Sequence, residues 1–213
     1  NWLATEVKES FLRDYDVQVI NNGIDTEVFH RINEGNIKCF EKYGIPRDKK
    51  IILGVAGVWD RRKGLGDFIE LDKYLPTDIQ IVIVGVSEKQ KQGLPEDIIG
   101  ICRTENAREL AELYSLATVL FNPTYEDNYP TVNLEAISCG TPVVTYDSGG
   151  SGEAVRKYGM GKIVKHKDYE AILSFINTCC IRKPELNLMQ SDDLSAARMV
   201  EDYKTLFTKL ILN

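Results

Sequence analysis

Short apolar runs alternate with helix-like stretches along most of the chain. The strand-like runs are Val17–Ile20, Ile51–Val58, Ile79–Gly85, Ile98–Cys102, Thr118–Phe121 and Pro142–Tyr146. Continuous apolar runs of this length are typical of strands that are buried on both faces of a sheet. Their alternation with helices predicts an α/β fold with a doubly wound, mainly parallel sheet and helices on both faces.

Helical periodicity is clearest at the two ends of the chain. The segment Trp2 to Tyr15 has apolar residues at positions 3, 7, 11 and 12, and a final helix is predicted from Leu194 to Leu212. Its apolar side consists of Ala197, Val200, Tyr203, Leu206, Phe207 and Leu210. Because no low-complexity linker or repeat interrupts the pattern, residues 1–213 are predicted to form one domain.

The segment from Asn122 to Gly150 contains the strongest candidate for a binding site. Pro130 has the fixed φ that helices accept at their first position, so a helix is predicted to begin there. The amides of Thr131, Val132 and Asn133 would then lack intrahelical partners, and the helix dipole would add positive charge. Gly140 ends this helix. The segment therefore predicts a site for an anionic group such as a phosphate.

Glu135 lies beside the apolar stripe of the same predicted helix. Val132, Ala136 and Cys139 form that stripe, so the Glu135 carboxylate is expected to be half-buried. A carboxylate in such a place needs hydrogen-bond donors, and adjacent hydroxyls of a sugar would supply two. The alternative is an ordinary acid on a capped surface helix.

Composition and charge exclude several classes of function. Hydrophobic residues make up 43% of the 213 residues, enough for a large core, and the formal net charge of −6 argues against a nucleic acid as the main partner. No apolar segment approaches the length that spans a bilayer, and no signal peptide is recognisable at the start. The five cysteines are spread without metal-ligand spacing and the two histidines are isolated, which favours reduced thiols, a cytosolic setting and no metal site.

Four motifs together resemble a known family. They are Val17–Asp25 (VQVINNGID) with Phe29, Gly54–Gly64 (GVAGVWDRRKG), Ile81–Gly85 (IVIVG), and the acidic segment that leads into Glu135–Pro142 (EAISCGTP). In this order they resemble the C-terminal, donor-binding half of GT-B fold retaining glycosyltransferases of family 4, also called group 1. The resemblance covers nearly the whole chain. It implies a Rossmann-like domain, and it places an N-terminal acceptor-binding half outside this chain.

The resemblance also implies roles for two acids. Family members carry two acids separated by seven residues, of which the first lies near the donor sugar and the second binds ribose hydroxyls of a nucleotide diphosphate sugar. Here Glu135 matches the second acid, and Asp127 stands where a glutamate is usual. Glu126 precedes it, so either Asp127 acts with a shorter reach or a rearranged loop presents Glu126. A carboxylate there would stabilise an oxocarbenium-like transition state.

The resemblance implies that cations for the leaving diphosphate come from the loop after Gly57. Lys63 follows that glycine by six residues, as in the family's phosphate-binding loop, whereas Val58 stands where many relatives have arginine. Arg61 or Arg62 could replace the missing charge. The family pattern also suggests base or phosphate contact by Arg103, and contacts at the mouth from Asn128, Tyr129, Pro130, Thr131 and Val132. For the cationic residues the alternative is a solvated basic surface.

The resemblance implies transfer of a sugar, with retention, from a nucleotide diphosphate sugar to a saccharide or lipid-linked acceptor in bacterial surface polysaccharide synthesis such as capsule or lipopolysaccharide. It implies no metal or other cofactor, and a cytoplasmic location with possible peripheral membrane association of the full-length enzyme. The final helix would pack on the missing half, so part of its apolar side should be exposed here. A noncatalytic nucleotide-sugar binding module and a GT-B epimerase remain alternatives. A dinucleotide-dependent dehydrogenase is disfavoured because no Gly-x-Gly-x-x-Gly motif follows the first strand.

Overall fold

The computed structural model describes residues 1–33, 35, 37–182, 184 and 192–212. Within them the chain forms a six-stranded sheet in which every neighbouring pair of strands is parallel. The strands are β1 Lys50–Val55, β2 Ile79–Val84, β3 Ile98–Ile101, β4 Val119–Asn122, β5 Val143–Tyr146 and β6 Gly161–Val164. Their order across the sheet is β3-β2-β1-β4-β5-β6. This is the doubly wound, Rossmann-like arrangement that the sequence pattern predicted.

Helices connect the strands and cover both faces of the sheet. They are α1 Trp2–Lys8, α2 Cys39–Tyr43, α3 Leu65–Asp72, α4 Glu88–Gln92, α5 Ala107–Leu116, α6 Thr131–Ser138, α7 Glu153–Tyr158, α8 Tyr169–Ile181 and α9 Ala196–Leu212. Core residues of α5, α6 and α7 pack on one face, and those of α3 and α8 pack on the other. Successive residues of a strand therefore enter opposite layers, as Ile52 and Leu53 of β1 do.

Two elements differ from the sequence-based prediction. The segment Val17–Ile20 was predicted as a strand, but it joins no sheet, and the nearest pairing is a single bridge from Ile24 to Ser195. The position beside β5 is taken by β6, which the pattern missed because its sequence, GKIV, is short and only one of its residues is fully buried. The first helix also ends earlier than predicted, at Lys8.

The final helix α9 has no buried residue. Val200, Tyr203, Phe207 and Leu210 of its apolar side are all exposed, which confirms the expectation that part of this side is uncovered in the present chain. In the part of the chain that the structure describes, no helix is both long enough and apolar enough to cross a bilayer.

Candidate functional site

A crevice of about 340 Å³ opens where β1 and β4 end. These two strands are neighbours, yet the chain leaves them in opposite directions, toward β2 on one side and β5 on the other. Ligands of doubly wound sheets bind outside the carboxyl ends of the strands at this change of direction. The crevice is lined by Val55, Ala56, Gly57, Lys63, Asn122, Asp127, Tyr129, Pro130, Thr131 and Val132.

Lys63 and Asp127 form an ion pair in this crevice. The Lys63 Nζ lies 2.6 Å from the Asp127 Oδ2, and the two side chains are only 28% and 18% exposed. The backbone that presents Lys63 is fixed by Gly64, whose φ is +74°. A side chain at Gly64 would collide with the carbonyl oxygen of Pro123, so the lysine loop packs directly on the loop after β4. Helix α3 begins at Leu65, directly after this glycine.

The two acids that the sequence left as alternatives lie in different surroundings. Asp127 points into the crevice, whereas Glu126 is exposed and does not line it. Backbone contacts hold this arrangement, because the Gly150 amide donates to the Asp127 carbonyl oxygen at 2.8 Å. The Thr124 hydroxyl donates to the Glu126 carbonyl oxygen at 3.1 Å. Of the two acids, Asp127 is therefore the one that lines the crevice.

The start of helix α6 forms one wall of the crevice. Pro130 is the residue before the first helical turn (φ −65°, ψ 123°) and not its first member, so the helix begins one residue later than predicted. By helix geometry the amides of Thr131 and Val132 have no intrahelical acceptor, and both residues line the crevice. The Asn133 amide, predicted to be free, instead donates to the Pro130 carbonyl oxygen at 3.2 Å.

A buried amide pair fixes this helix against β4, and the sequence interpretation did not identify it. The Asn122 Nδ2 donates to the Asn133 Oδ1 at 2.9 Å, and the Asn133 Nδ2 donates to the Ser151 carbonyl oxygen at 2.9 Å. Asn133 is fully buried. A polar residue closing an apolar strand, as Asn122 does, is the signal that could have indicated it.

Glu135 lies one helical turn beyond the mouth and does not line the crevice. It is half-buried, as the helical wheel predicted, and its Oε2 accepts a hydrogen bond from the Tyr114 hydroxyl at 2.8 Å. Burial raises the pKa of the Glu135 carboxyl, while hydrogen bonds from Tyr114 and Thr131 act in the opposite direction. Its neighbours on the predicted apolar stripe, Ala136 and Cys139, are buried.

The other predicted site residues lie outside the crevice. Arg61 and Arg62 line a neighbouring, larger cavity, and the Arg62 guanidinium is paired with Asp60 at 3.0 Å. Arg103 and Asn128 are exposed. Val58, at the position where relatives often have arginine, is 73% exposed. Lys63 is therefore the one cation among the crevice residues of the described chain.

The crevice thus combines a lysine and helix amides with a carboxylate. Such a set suits a ligand that is anionic at one point and develops positive charge nearby. Among the described residues, no group of three or more His, Cys, Asp and Glu side chains is placed to hold a metal ion.

Most of the chain matches a known protein family. Residues 37–187 match the family model described as glycosyl transferases group 1, a range that includes every candidate site residue. A curated relative, the alpha-maltose-1-phosphate synthase of Mycolicibacterium smegmatis, is 25% identical over 208 residues, covering 86% of this chain and 54% of that protein. The chain spans about half the length of the curated relatives it matches.

Solved structures show the same fold. Anabaena HepE, determined in complex with UDP-glucose, matches with a TM-score of 0.75 at 18% identity, over 90% of this chain and 57% of that one. The C-terminal domain of the group 1 protein LpcC from Francisella tularensis matches with a TM-score of 0.58 at 19% identity. That match covers 84% of this chain and 97% of the LpcC domain.

Proposed function

Because this chain belongs to the glycosyl transferase group 1 family, we propose that it is the donor-binding half of a retaining GT-B glycosyltransferase. In this proposal the enzyme moves a sugar from a nucleotide diphosphate sugar to a saccharide or lipid-linked acceptor. An N-terminal half of the full protein would bind that acceptor. We place the enzyme in the cytoplasm, at most peripherally on the membrane, in the synthesis of a bacterial surface polysaccharide.

The observation that carries the proposal is the Lys63–Asp127 pair at the mouth of helix α6. A diphosphate in the crevice would meet the Lys63 ammonium and the amides of Thr131 and Val132 together. It would compete with Asp127 for the lysine, since the Lys63 Nζ lies only 2.6 Å from the Asp127 Oδ2. Donor binding would thereby release the Asp127 carboxylate toward the sugar ring.

Asp127 is the proposed catalytic carboxylate, with Glu126 as the alternative that the exposed position disfavours. A carboxylate beside the anomeric carbon stabilises the positive charge that develops as the glycosidic bond to the diphosphate breaks. Glu135 is proposed to accept hydrogen bonds from the ribose hydroxyls. Its half-buried carboxylate already has Tyr114 as one donor, which holds it in a fixed orientation.

Binding measurements test this assignment. Thermal unfolding is followed with UDP, GDP, ADP and the corresponding sugar nucleotides, with UDP-glucose first because HepE is solved with it. A ligand at a hundredfold excess over its Kd should stabilise the fold by about 2.7 kcal/mol. Lys63→Ala should weaken the best nucleotide about 10- to 100-fold, because one charged hydrogen-bonding partner is lost.

Two further variants serve as a control for charge removal and as a test of the Asp127 carboxylate. Lys73→Ala removes the same charge from an exposed pair with Glu70 and should leave nucleotide affinity unchanged. Asp127→Asn should keep or improve nucleotide affinity, because Lys63 loses its competitor, while sugar transfer by the full-length protein falls. Equal nucleotide affinity in Lys63→Ala and wild type would rule out the proposed diphosphate site.

A noncatalytic nucleotide-sugar binding module is the second candidate. It is favoured by Asp127 in place of glutamate, which keeps the negative charge but shortens its reach, and by Val58 in place of arginine, which removes a cation. To restore the positive charge in the crevice, the side chains of Arg61, Arg62 and Arg103 would have to move. Product analysis with labelled sugar nucleotides and the full-length protein separates transfer, epimerisation of the donor, and binding alone.

A further inference from the structure

The crevice contains a further polar group to which the proposed function gives no role, the side-chain amide of Asn122. Asn122 is the last residue of β4, lines the crevice and is only 6% exposed. The preceding residues of this strand are apolar and fully buried, as expected at the centre of a parallel sheet. The amide therefore lies where the buried sheet ends and the space for a ligand begins.

The orientation of the Asn122 amide follows from its neighbours. The Ser151 carbonyl oxygen can only accept a hydrogen bond, so Asn133 must turn its Nδ2 toward that oxygen, at 2.9 Å. The Asn133 Oδ1 then faces β4, where only a donor can satisfy it. Asn122 places its Nδ2 there, at 2.9 Å, and its own Oδ1 therefore points away from Asn133.

The base of this chain of hydrogen bonds is well anchored. Ser151 is fully buried, and its hydroxyl lies 2.7 Å from the carbonyl oxygens of Tyr146 and Ser148. A flip of the Asn122 amide would bring two acceptor oxygens together and leave the buried Asn133 Oδ1 without a donor, at a cost of about 1–3 kcal/mol. The Asn122 amide is therefore held in one orientation.

The remaining oxygen, Asn122 Oδ1, is available to a ligand. Among the described residues, the side chain has its one hydrogen bond through Nδ2, and no group donates to Oδ1. The buried side-chain polar atoms without a partner in this part of the chain are the Asp67 Oδ2 and the Tyr146 hydroxyl. Since the Asn122 Oδ1 is not one of them, it is not sealed inside the core, and the space that Asn122 borders is the crevice.

The chemistry of this oxygen restricts what can bind to it. A group that meets the Oδ1 must have a proton to donate, which an ionised phosphate oxygen lacks and a sugar hydroxyl has. The Lys63 ammonium is another donor in the crevice, but Asp127 holds it at 2.6 Å. In a nucleotide diphosphate sugar whose ribose is bound by Glu135, the hydroxyls of the transferred sugar are therefore the best partners for the amide oxygen.

We propose that Asn122 selects the transferred sugar of the donor by accepting a hydrogen bond from one of its hydroxyls. This inference rests on the proposed function, because it takes a nucleotide diphosphate sugar as the ligand. The crevice then divides by polarity: Lys63 and the amides at the start of α6 donate to the diphosphate, whereas Asp127 and Asn122 present oxygens to the sugar. A sugar without the matching hydroxyl would leave the Asn122 oxygen unsatisfied and would bind less well.

Comparison of UDP with UDP-glucose isolates the contribution of the sugar, because the two ligands share the nucleoside diphosphate. Both affinities are measured by isothermal titration of the full-length protein, and UDP-glucose is used because HepE is solved with it. Where another nucleotide sugar binds more tightly, that sugar and its nucleoside diphosphate replace this pair. Asn122→Leu keeps the branched shape of the side chain but has no hydrogen-bonding group. It should leave UDP affinity unchanged and weaken UDP-glucose about fivefold, the effect of one hydrogen bond.

Thr145→Val is the matched control. The Thr145 hydroxyl is buried and donates to the backbone carbonyl oxygen of Asn122 at 2.9 Å. Its removal takes a hydrogen bond from the same residue without touching the side-chain amide. Thr145→Val should therefore lower stability, as Asn122→Leu does, yet leave the affinities for UDP and UDP-glucose in their wild-type ratio. An equal fall of this ratio in both variants would mean that the fold and not the amide is responsible.

Monodeoxy analogues of UDP-glucose test the wild-type protein directly, so the result does not depend on the folding of a variant. One analogue should bind wild type about fivefold more weakly than UDP-glucose, and Asn122→Leu should not distinguish the two ligands. Equal affinity of wild type for all the analogues overturns the proposal. Weaker binding of UDP itself by Asn122→Leu also overturns it, because the amide would then serve the diphosphate or Lys63. Failure of wild type to bind any nucleoside diphosphate or nucleotide sugar overturns the proposed function, and this inference with it.

Discussion

The Glu135 carboxylate shows how one helix position combines burial with hydrogen bonding. Its place on α6 between the apolar stripe and solvent leaves it half-buried, and burial raises the pKa of its carboxyl above the ordinary value of 4.5. The Tyr114 hydroxyl offsets part of that cost by donating to the charged form. A carboxylate held in this way is ready for further donors, such as the hydroxyls of a ribose.

Replacing this acid should change how stability depends on pH. Because the folded-state pKa is raised, the folded protein binds more protons than the unfolded chain above pH 4.5, so stability is lost as pH rises through the folded pKa. Glu135→Gln should remove that loss and be more stable than wild type at neutral pH. The measurement is urea unfolding across the acid to neutral range. Glu27→Gln, an exposed acid, serves as control, and an unchanged slope in Glu135→Gln would contradict the argument.

At the scale of elements, the sequence predicted most of the sheet but little of the loop geometry. Four of the runs match β2, β3, β4 and β5 closely because buried parallel strands are apolar along their whole length. The edge strand β6 lacks that signature, and Val17–Ile20 has it without a neighbouring strand to pair with. The choice between Glu126 and Asp127 depends on a contact with residue 150. Such long-range backbone contacts leave no local pattern, and neither does the larger cavity beside the crevice, which is lined by residues as distant in sequence as 67 and 169.

The contact between the acidic loop and the turn after β5 can be tested at Gly150. The Gly150 amide donates to the Asp127 carbonyl oxygen, and an added side chain would collide with the carbonyl oxygen of Asn128. Gly150→Ala should therefore destabilise the fold by about 2–3 kcal/mol and weaken nucleotide binding by shifting the loop that carries the crevice residues Tyr129 and Pro130. Gly66→Ala is the matched control, because space is open around Gly66 in α3, and it should stabilise by about 0.5–1 kcal/mol. Equal stability of the two variants would show that the loops are not coupled here.

At the scale of the whole molecule, both faces of the sheet are covered, whereas the apolar side of the last helix is exposed. The two core layers bury the sheet on both faces, whereas α9 leaves Phe207 56% exposed, Leu210 65% exposed and Ile211 82% exposed. Apolar surface of this kind marks contact with another surface. Since the chain spans about half the length of its curated relatives, we propose that the other half of the full protein covers this side of α9.

Polar substitutions on α9 distinguish a docking surface from part of the core. The pair Phe207→Ser and Leu210→Ser should change the stability of this chain by no more than about 0.5 kcal/mol, because the side chains are exposed already. Ile176→Ser, at a fully buried position of α8, should instead destabilise the chain by several kcal/mol. In the full-length protein the α9 pair should lower the unfolding temperature, because contacts with the second half are lost there. A large destabilisation of the present chain by the pair would mean that α9 is held by its own core, and the docking proposal would fail.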